Sequence, residues 1–283
     1  MSFPAVVTFW YVGAANPAAV LEAEPKADRG FGRKLLAQLN PKWPITPIGQ
    51  FPLNRSTKPS RAEFYIAGYP GVAVLQTFVE DCGKLSEISP PLLGAVPAAE
   101  VFVVAEGTGD GVGYGGFAHF TGTTVNRSLC ATRTELMEDL GLPEPFEAPF
   151  WAGERAEQIG GISLPFEPVD LMQAAQQAWL GVDVSPNGPD INVVGYAVDG
   201  RPEPKVEARG PQTKDVSEVA AKFASPSADY DDYEEMSDED QGGEFAQLAD
   251  ASAAAARRIS REATRRWRNF KDAVVEKIRH SDR

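Results

Sequence analysis

Cysteine and histidine are scarce: Cys82 and Cys130, with His119 and His280, are the whole complement of a 283-residue chain. Two thiols without paired spacing exclude a disulfide framework and a structural zinc site, and they read as reduced, partly buried side chains. The chain has no G-x-S-x-G elbow and no H-E-x-x-H pair, so serine-hydrolase and zincin chemistry lack their usual carriers. Long apolar runs are missing too. The stretch Ala5 to Ala15 falls short of the ~20 residues a membrane-spanning helix needs, and no Lys or Arg precedes Lys26, where a secretory leader would be basic. These absences point to a cytoplasmic protein without a metal or cofactor.

Basic residues are outnumbered, 27 Lys and Arg against 40 Asp and Glu, for a net charge of −13. The imbalance is uneven. Residues 257–283 hold ten Lys and Arg and four Asp and Glu, so they carry +6 and leave −19 on residues 1–256. An acidic body argues against broad nucleic-acid binding by the globular part. The hydrophobic fraction of 43%, with fifteen Phe, suits a packed core.

Local signals place several elements. Val6 to Val12 is β-branched and aromatic, the pattern of a strand buried on both faces. Asn16-Pro17 supplies a cap and a first-turn proline for a short helix to about Glu24. Asp28 caps a second helix with Phe31, Leu35 and Leu39 on one face, stopped by Pro41. After a proline-rich connection, residues 64–68 and 72–78 flank the turn Tyr69-Pro70-Gly71 as a hairpin. Residues 101–105, 115–120 and 126–132 follow as an antiparallel meander. Pro168 opens a helix to residue 180 with Val169, Met172, Ala175 and Trp179 on one side and Gly181 as its stop, and residues 191–198 form a last strand. Strands leading into strands, with helices before and after, predict an α+β domain with a mixed, largely antiparallel sheet and a few helices over residues 1–200.

Two segments, Pro145-Phe146-Glu147-Ala148-Pro149-Phe150-Trp151-Ala152-Gly153-Glu154 and Leu164-Pro165-Phe166-Glu167-Pro168-Val169-Asp170-Leu171, resemble those of an uncharacterised actinobacterial domain family of unknown function. The likeness spans roughly residues 1–200 and includes the hydrophobic N-terminal strand followed by a short helix. It implies a domain boundary near residue 200 and brings no activity and no residue role with it.

Candidate chemistry in this domain is sparse. Gly111, Gly113 and Gly116 give a formal G-x-G-x-x-G, but a dinucleotide fingerprint opens a helix, whereas the segment after this loop has strand character. A hairpin loop is the leading reading and a ligand cradle at Gly111 and Gly113 the other. His119 is a structural histidine, or else a catalytic one with Glu154, Asp139 or Cys130 as its partner. Trp151 beside Glu154 offers an aromatic and a carboxylate to a polar ligand, against the plainer reading of a packed loop and a solvated acid.

From about residue 200 the composition changes. Residues 201–243 carry prolines at 202, 204, 211 and 226, nine acidic residues fall between Asp229 and Glu244, and no Lys or Arg occurs from Phe223 to Ala256. A disordered acidic linker follows from self-repulsion and the lack of core-forming residues. Over 244–280, Phe245, Leu248, Ser252, Ala256, Ile259, Ala263, Trp267, Phe270, Val274 and Ile278 recur at steps of 3, 4 and 4. That eleven-residue period keeps one apolar stripe on a helix of about 50 Å. Arg257, Arg258, Arg261, Arg265 and Arg268 mostly project away from the stripe. The pattern suits association with itself or a partner helix, an anionic membrane surface at the inner face of the membrane, or docking on its own domain, with nucleic acid last in rank.

The resulting expectation is a binding or scaffold protein, leaning away from an enzyme, that associates with protein or membrane through its C-terminal helix. The alternative is a small-ligand binder or enzyme built on the Gly107–Gly116 loop, His119, Trp151 and Glu154.

Overall fold

Strand β1 (Phe3–Val12) sits in the middle of a nine-stranded sheet, which is why its residues from Ala5 to Val12 are buried on both faces. The computed structural model describes residues 1–155 and 163–204. Except for residues 201–204, the linker expected over 201–243 and the helix expected over 244–280 lie outside them. The described chain continues with α1 (Pro17–Glu22), α2 (Arg29–Leu39), β2 (Thr46–Pro52), β3 (Glu63–Tyr69), β4 (Val72–Cys82), α3 (Pro90–Leu93), β5 (Glu100–Gly107), β6 (Gly115–Thr121), β7 (Thr124–Ala131), β8 (Leu136–Gly141), α4 (Ala148–Trp151), α5 (Pro168–Leu180) and β9 (Asn192–Ala197). The sheet runs β2-β9-β3-β4-β1-β5-β6-β7-β8, and every neighbouring pair is antiparallel. Residues 1–200 are therefore an α+β fold with a large antiparallel sheet and few helices.

The helix ends follow side-chain chemistry. Asn16 accepts a hydrogen bond from the Ala19 amide at 3.2 Å, and Asp28 accepts one from Gly30 at 2.8 Å, each satisfying a donor that the first helical turn leaves open. Pro168 starts α5 and Gly181, with φ of 72°, closes it. Of the expected α5 stripe, Met172 and Ala175 are buried, whereas Val169 and Trp179 are half-buried, and Leu171 and Leu180 complete the helix's core contacts.

Strand register assigns the two faces, because paired residues point the same way. Val6, Thr8 and Trp10 share one face with Gln76 of β4, Val104 and Phe102 of β5, and Phe117 and His119 of β6. Helix α5 packs on that face against β5 and β6, over a core that includes Phe117, Leu129 and Phe150. Val7, Phe9 and Tyr11 point to the opposite face, where Tyr11 donates its hydroxyl to Leu92 of α3. Helix α2 covers β3 and β9 there, close enough that a Cβ on Gly32 would stand 2.4 Å from the Tyr196 ring.

Two strands have no counterpart among the expected elements. Both are edges. β2 lies within the proline-rich connection, and an edge strand tolerates Pro47 and Pro52 because half of its amides need no ladder partner. β8 is exposed at most positions, so it carries no apolar alternation to read.

Candidate functional site

Polar residues inside central strands call for partners, since an unpaired buried hydroxyl or amide is costly. Thr8 is the one residue of β1 whose side chain is neither aliphatic nor aromatic, and Gln76 stands directly opposite it on β4. The Gln76 Nε2 donates to the Thr8 hydroxyl at 2.9 Å. Helix α5 packs over β5 and β6, and at its margin the same sheet face is left open as a cleft of about 300 Å³. Thr8, Gln76, Val6 and Val104 lie along its sheet side, residues 53–58 and 183–186 form one border, and Met172, Gln173 and Gln176 of α5 form the other.

The borders are held in place. Asn54 donates to the carbonyls of Ser185 at 2.9 Å and Pro189 at 3.0 Å, so the two loops are tied together. Asp183 accepts from the Ser185 hydroxyl at 2.7 Å and amide at 2.8 Å, bonds that hold its carboxyl below the usual aspartate range and keep it ionised. Lys58 pairs with Glu106 across the cleft lining, and their side chains remain 45% and 36% exposed. Among the described residues, the carboxamides of Gln173 and Gln176 and the Oε1 of Gln76 make no side-chain hydrogen bond. The cleft therefore presents three carboxamide groups, one ammonium and two carboxylates around an apolar stem contact at Val6, Val104 and Met172.

A second polar cluster lies on the same sheet face. His119 contacts Glu100 through Nε2 at 2.8 Å and Glu144 through Nδ1 at 3.3 Å. Glu144 also accepts from Trp179 Nε1 of α5 at 2.9 Å, and the Trp179 ring stacks on Phe102 at 4.8 Å. Burial pushes the imidazole towards its neutral form, but the bonds and charges of Glu144 and Glu100 outweigh it and raise the His119 pKa above 6.5. Burial likewise opposes the charge of Glu144, and its bonds to His119 and Trp179 win, lowering its pKa below 4.5. A raised histidine pKa stabilises the fold fully below its unfolded value and ceases to do so as pH rises through the folded value. The stability difference between wild type and His119→Gln is thus expected to be large near pH 5–6 and to shrink above neutrality. Thermal unfolding of both proteins across that range measures it, and a difference that grows with pH would contradict the assignment.

Arg127 forms a third cluster. Its Nε and Nη2 bond both oxygens of Glu147, at 2.8 and 2.7 Å, and its Nη1 reaches Asp139 at 2.5 Å. Glu147 also accepts from the Glu144 amide at 2.8 Å and from Trp151 Nε1 at 3.1 Å. Both ion-pair side chains are sealed from solvent, at 1% and 0% exposure. The pair anchors the 145–151 segment to β7.

Among the described residues, those singled out from sequence fall elsewhere than the cleft. Both nitrogens of His119 are engaged by Glu100 and Glu144, while Glu154 is exposed beyond α4. Trp151 bonds Glu147 and packs edge-on against Phe166 at 4.9 Å. The Gly107–Gly116 loop joins β5 to β6. Within it the amides of Gly111, Val112 and Tyr114 bond to carbonyls of the same loop, Gly111 is buried against Phe3 and Pro4, and Gly113 faces open space at φ 90°. Its amides are thus largely spent on the turn itself. Cys82 and Cys130 are free and buried, and burial pushes the Cys130 thiol up to about 12, far from a nucleophile's range. Among the described residues no group of three His, Cys, Asp or Glu is arranged to hold a metal ion. No helix there is long and apolar enough to cross a membrane. Sequence reasoning passed over Thr8, Gln76, Lys58, Glu106, Gln173 and Gln176. The available signal was Thr8 among the aliphatic and aromatic residues of β1, and Gln76 directly after the apolar run 72–75 of β4.

No curated protein and no solved structure matches the chain. A family model described as Family of unknown function (DUF6928) matches residues 6–196, which include both central strands, helix α5 and the 145–154 and 164–171 segments, and the chain belongs to that family.

Proposed function

We propose that the domain is a non-catalytic binding module that takes a small polar ligand in the cleft beside α5. The observation that carries this reading is the Thr8–Gln76 pair on the cleft floor, where the rest of β1 is aliphatic or aromatic. Such a pair contributes less to the core than two packed aliphatic residues would, and it is useful where a ligand needs oriented donors and acceptors. A volume of about 300 Å³ is at the small end of ligand sites. The enzyme alternative drew on the Gly107–Gly116 loop, His119, Trp151 and Glu154, none of which lines the cleft.

The test is a thermal-shift screen of the full chain against polar metabolites, repeated with Gln76→Leu. Hits that stabilise wild type and bind the variant about tenfold more weakly support the reading, as the loss of one or two ligand hydrogen bonds implies. Hits that bind both proteins equally, or no hits at all, overturn it.

A second reading concerns the C-terminal segment and rests on the 3-4-4 spacing from Phe245 to Ile278. We propose that this segment associates with a partner helix, a second copy or an anionic membrane surface, and so tethers the domain. Comparing the full chain with a 1–205 truncation by pull-down and by binding to anionic vesicles tests it. Partners or vesicle binding lost on truncation support tethering, and identical behaviour of the two removes it.

A further inference from the structure

Resting on the cleft reading above, we propose that the ligand is a small zwitterion of the α-amino acid class, with its carboxylate on Lys58 and its ammonium on Glu106. Charge balance carries the argument. Lys58 and Glu106 line the cleft and satisfy each other in the unliganded protein. An anion alone would draw Lys58 away and leave Glu106 facing like charge, and a cation alone would strand Lys58. A zwitterion inserts between the two and leaves each with an opposite partner, avoiding the cost of an uncompensated charge in a partly desolvated site.

The pair also has capacity to spare. Glu106 is the one partner of the Lys58 ammonium among the described residues, so two of its three hydrogens remain to be donated. The pair is made through Oε1 of Glu106, and a carboxylate has lone pairs left for a second donor. At about two-fifths exposure both groups keep enough water to exchange partners without a large barrier. The third charge of the lining is Asp183, which stays ionised, so the cleft carries one net negative charge. That sign disfavours phosphorylated ligands and favours an amine.

The remaining lining suits the rest of an amino acid. Val6, Val104 and Met172 offer contact to an aliphatic stem, while Gln76, Gln173 and Gln176 can donate to and accept from a polar side-chain end. A cleft of about 300 Å³ takes such a molecule whole.

The test uses the full chain and the twenty common amino acids singly in thermal unfolding, followed by calorimetric titration of the best binder. An amino acid at ~100 times its Kd should raise the unfolding midpoint by about 5 °C or more. Its N-acetyl derivative and its carboxamide derivative should each lose most of that shift. Lys58→Met and Glu106→Gln should each weaken binding at least about tenfold, the loss expected when one charged partner is removed. Uncharged polar probes, myo-inositol and uridine, separate the two levels of the argument. If these bind in a Gln76-dependent way while no amino acid does, the zwitterion assignment fails and the cleft reading survives. If neither class binds, both fail. Binding of the N-acetyl or carboxamide derivative as tight as that of the parent amino acid overturns the assignment as well.

Discussion

Glu147→Ala is expected to cost the domain about 3–5 kcal/mol, the range for removing one partner of a buried ion pair. Arg127 is 1% exposed and Glu147 is fully buried, so alanine leaves a guanidinium without its bidentate partner in a site that water does not reach. Burial opposes the arginine's charge, but its bonds to Glu147 and Asp139 more than restore it, and the group stays charged when Glu147 is removed. The loss extends further, because the Glu144 amide and Trp151 Nε1 also give up their acceptor. The double variant Arg127→Met/Glu147→Leu should recover much of the stability, since an apolar pair carries no charge to desolvate. Urea unfolding of wild type, the single variant and the double variant gives the comparison. A single-variant loss under about 1 kcal/mol would mean that the pair is hydrated rather than sealed.

Gly115→Ala should be comparably damaging for a steric reason. A Cβ at this position would lie 2.4 Å from the carbonyl carbon of Pro168 and 2.6 Å from the Val169 amide nitrogen, so the first turn of α5 rests directly on the backbone of β6. Neither neighbour is a flexible side chain that can rotate away, and the helix must lift. Overpacking typically costs about 1–3 kcal/mol, and with backbone on both sides the upper end or beyond is expected. Because α5 supplies Met172, Gln173 and Gln176 to the cleft, the same variant should also weaken ligand binding. Gly109→Ala is the control. Its φ of 57° disfavours alanine, but a Cβ there meets nothing within 4 Å, so only the ~1–2 kcal/mol of left-handed backbone is lost. Equal unfolding midpoints for the two variants would show that contact with α5 is not what makes Gly115 necessary.

Elements legible in the sequence are those whose causes are local. The caps at Asn16 and Asp28, the turn at Tyr69-Pro70-Gly71, the meander from β5 to β7 and the Pro168-to-Gly181 helix each depend on residues a few positions apart. Edge strands escaped for the opposite reason. β2 and β8 owe their pairing to β9 and β7, and neither shows the alternation that one buried face imposes. For His119 the sequence raised Glu154, Asp139 and Cys130 as partners, whereas its bonds go to Glu100 on the neighbouring strand and Glu144 ahead of α4. Side-chain distance across strands follows register, and register is not written in any one segment.

The amino-acid sequence alone determined the α+β class of residues 1–200, the buried character of β1 and most helix boundaries, because hydrophobic period and capping act over one or two turns of chain. Only tertiary structure decided that β1 would lie between β4 and β5, that Thr8 would face Gln76, and that Lys58, Glu106 and Gln173 would line one cleft. Those outcomes rest on strand order and register, which minimise exposed apolar surface over the whole sheet at once and so cannot be read from any local stretch.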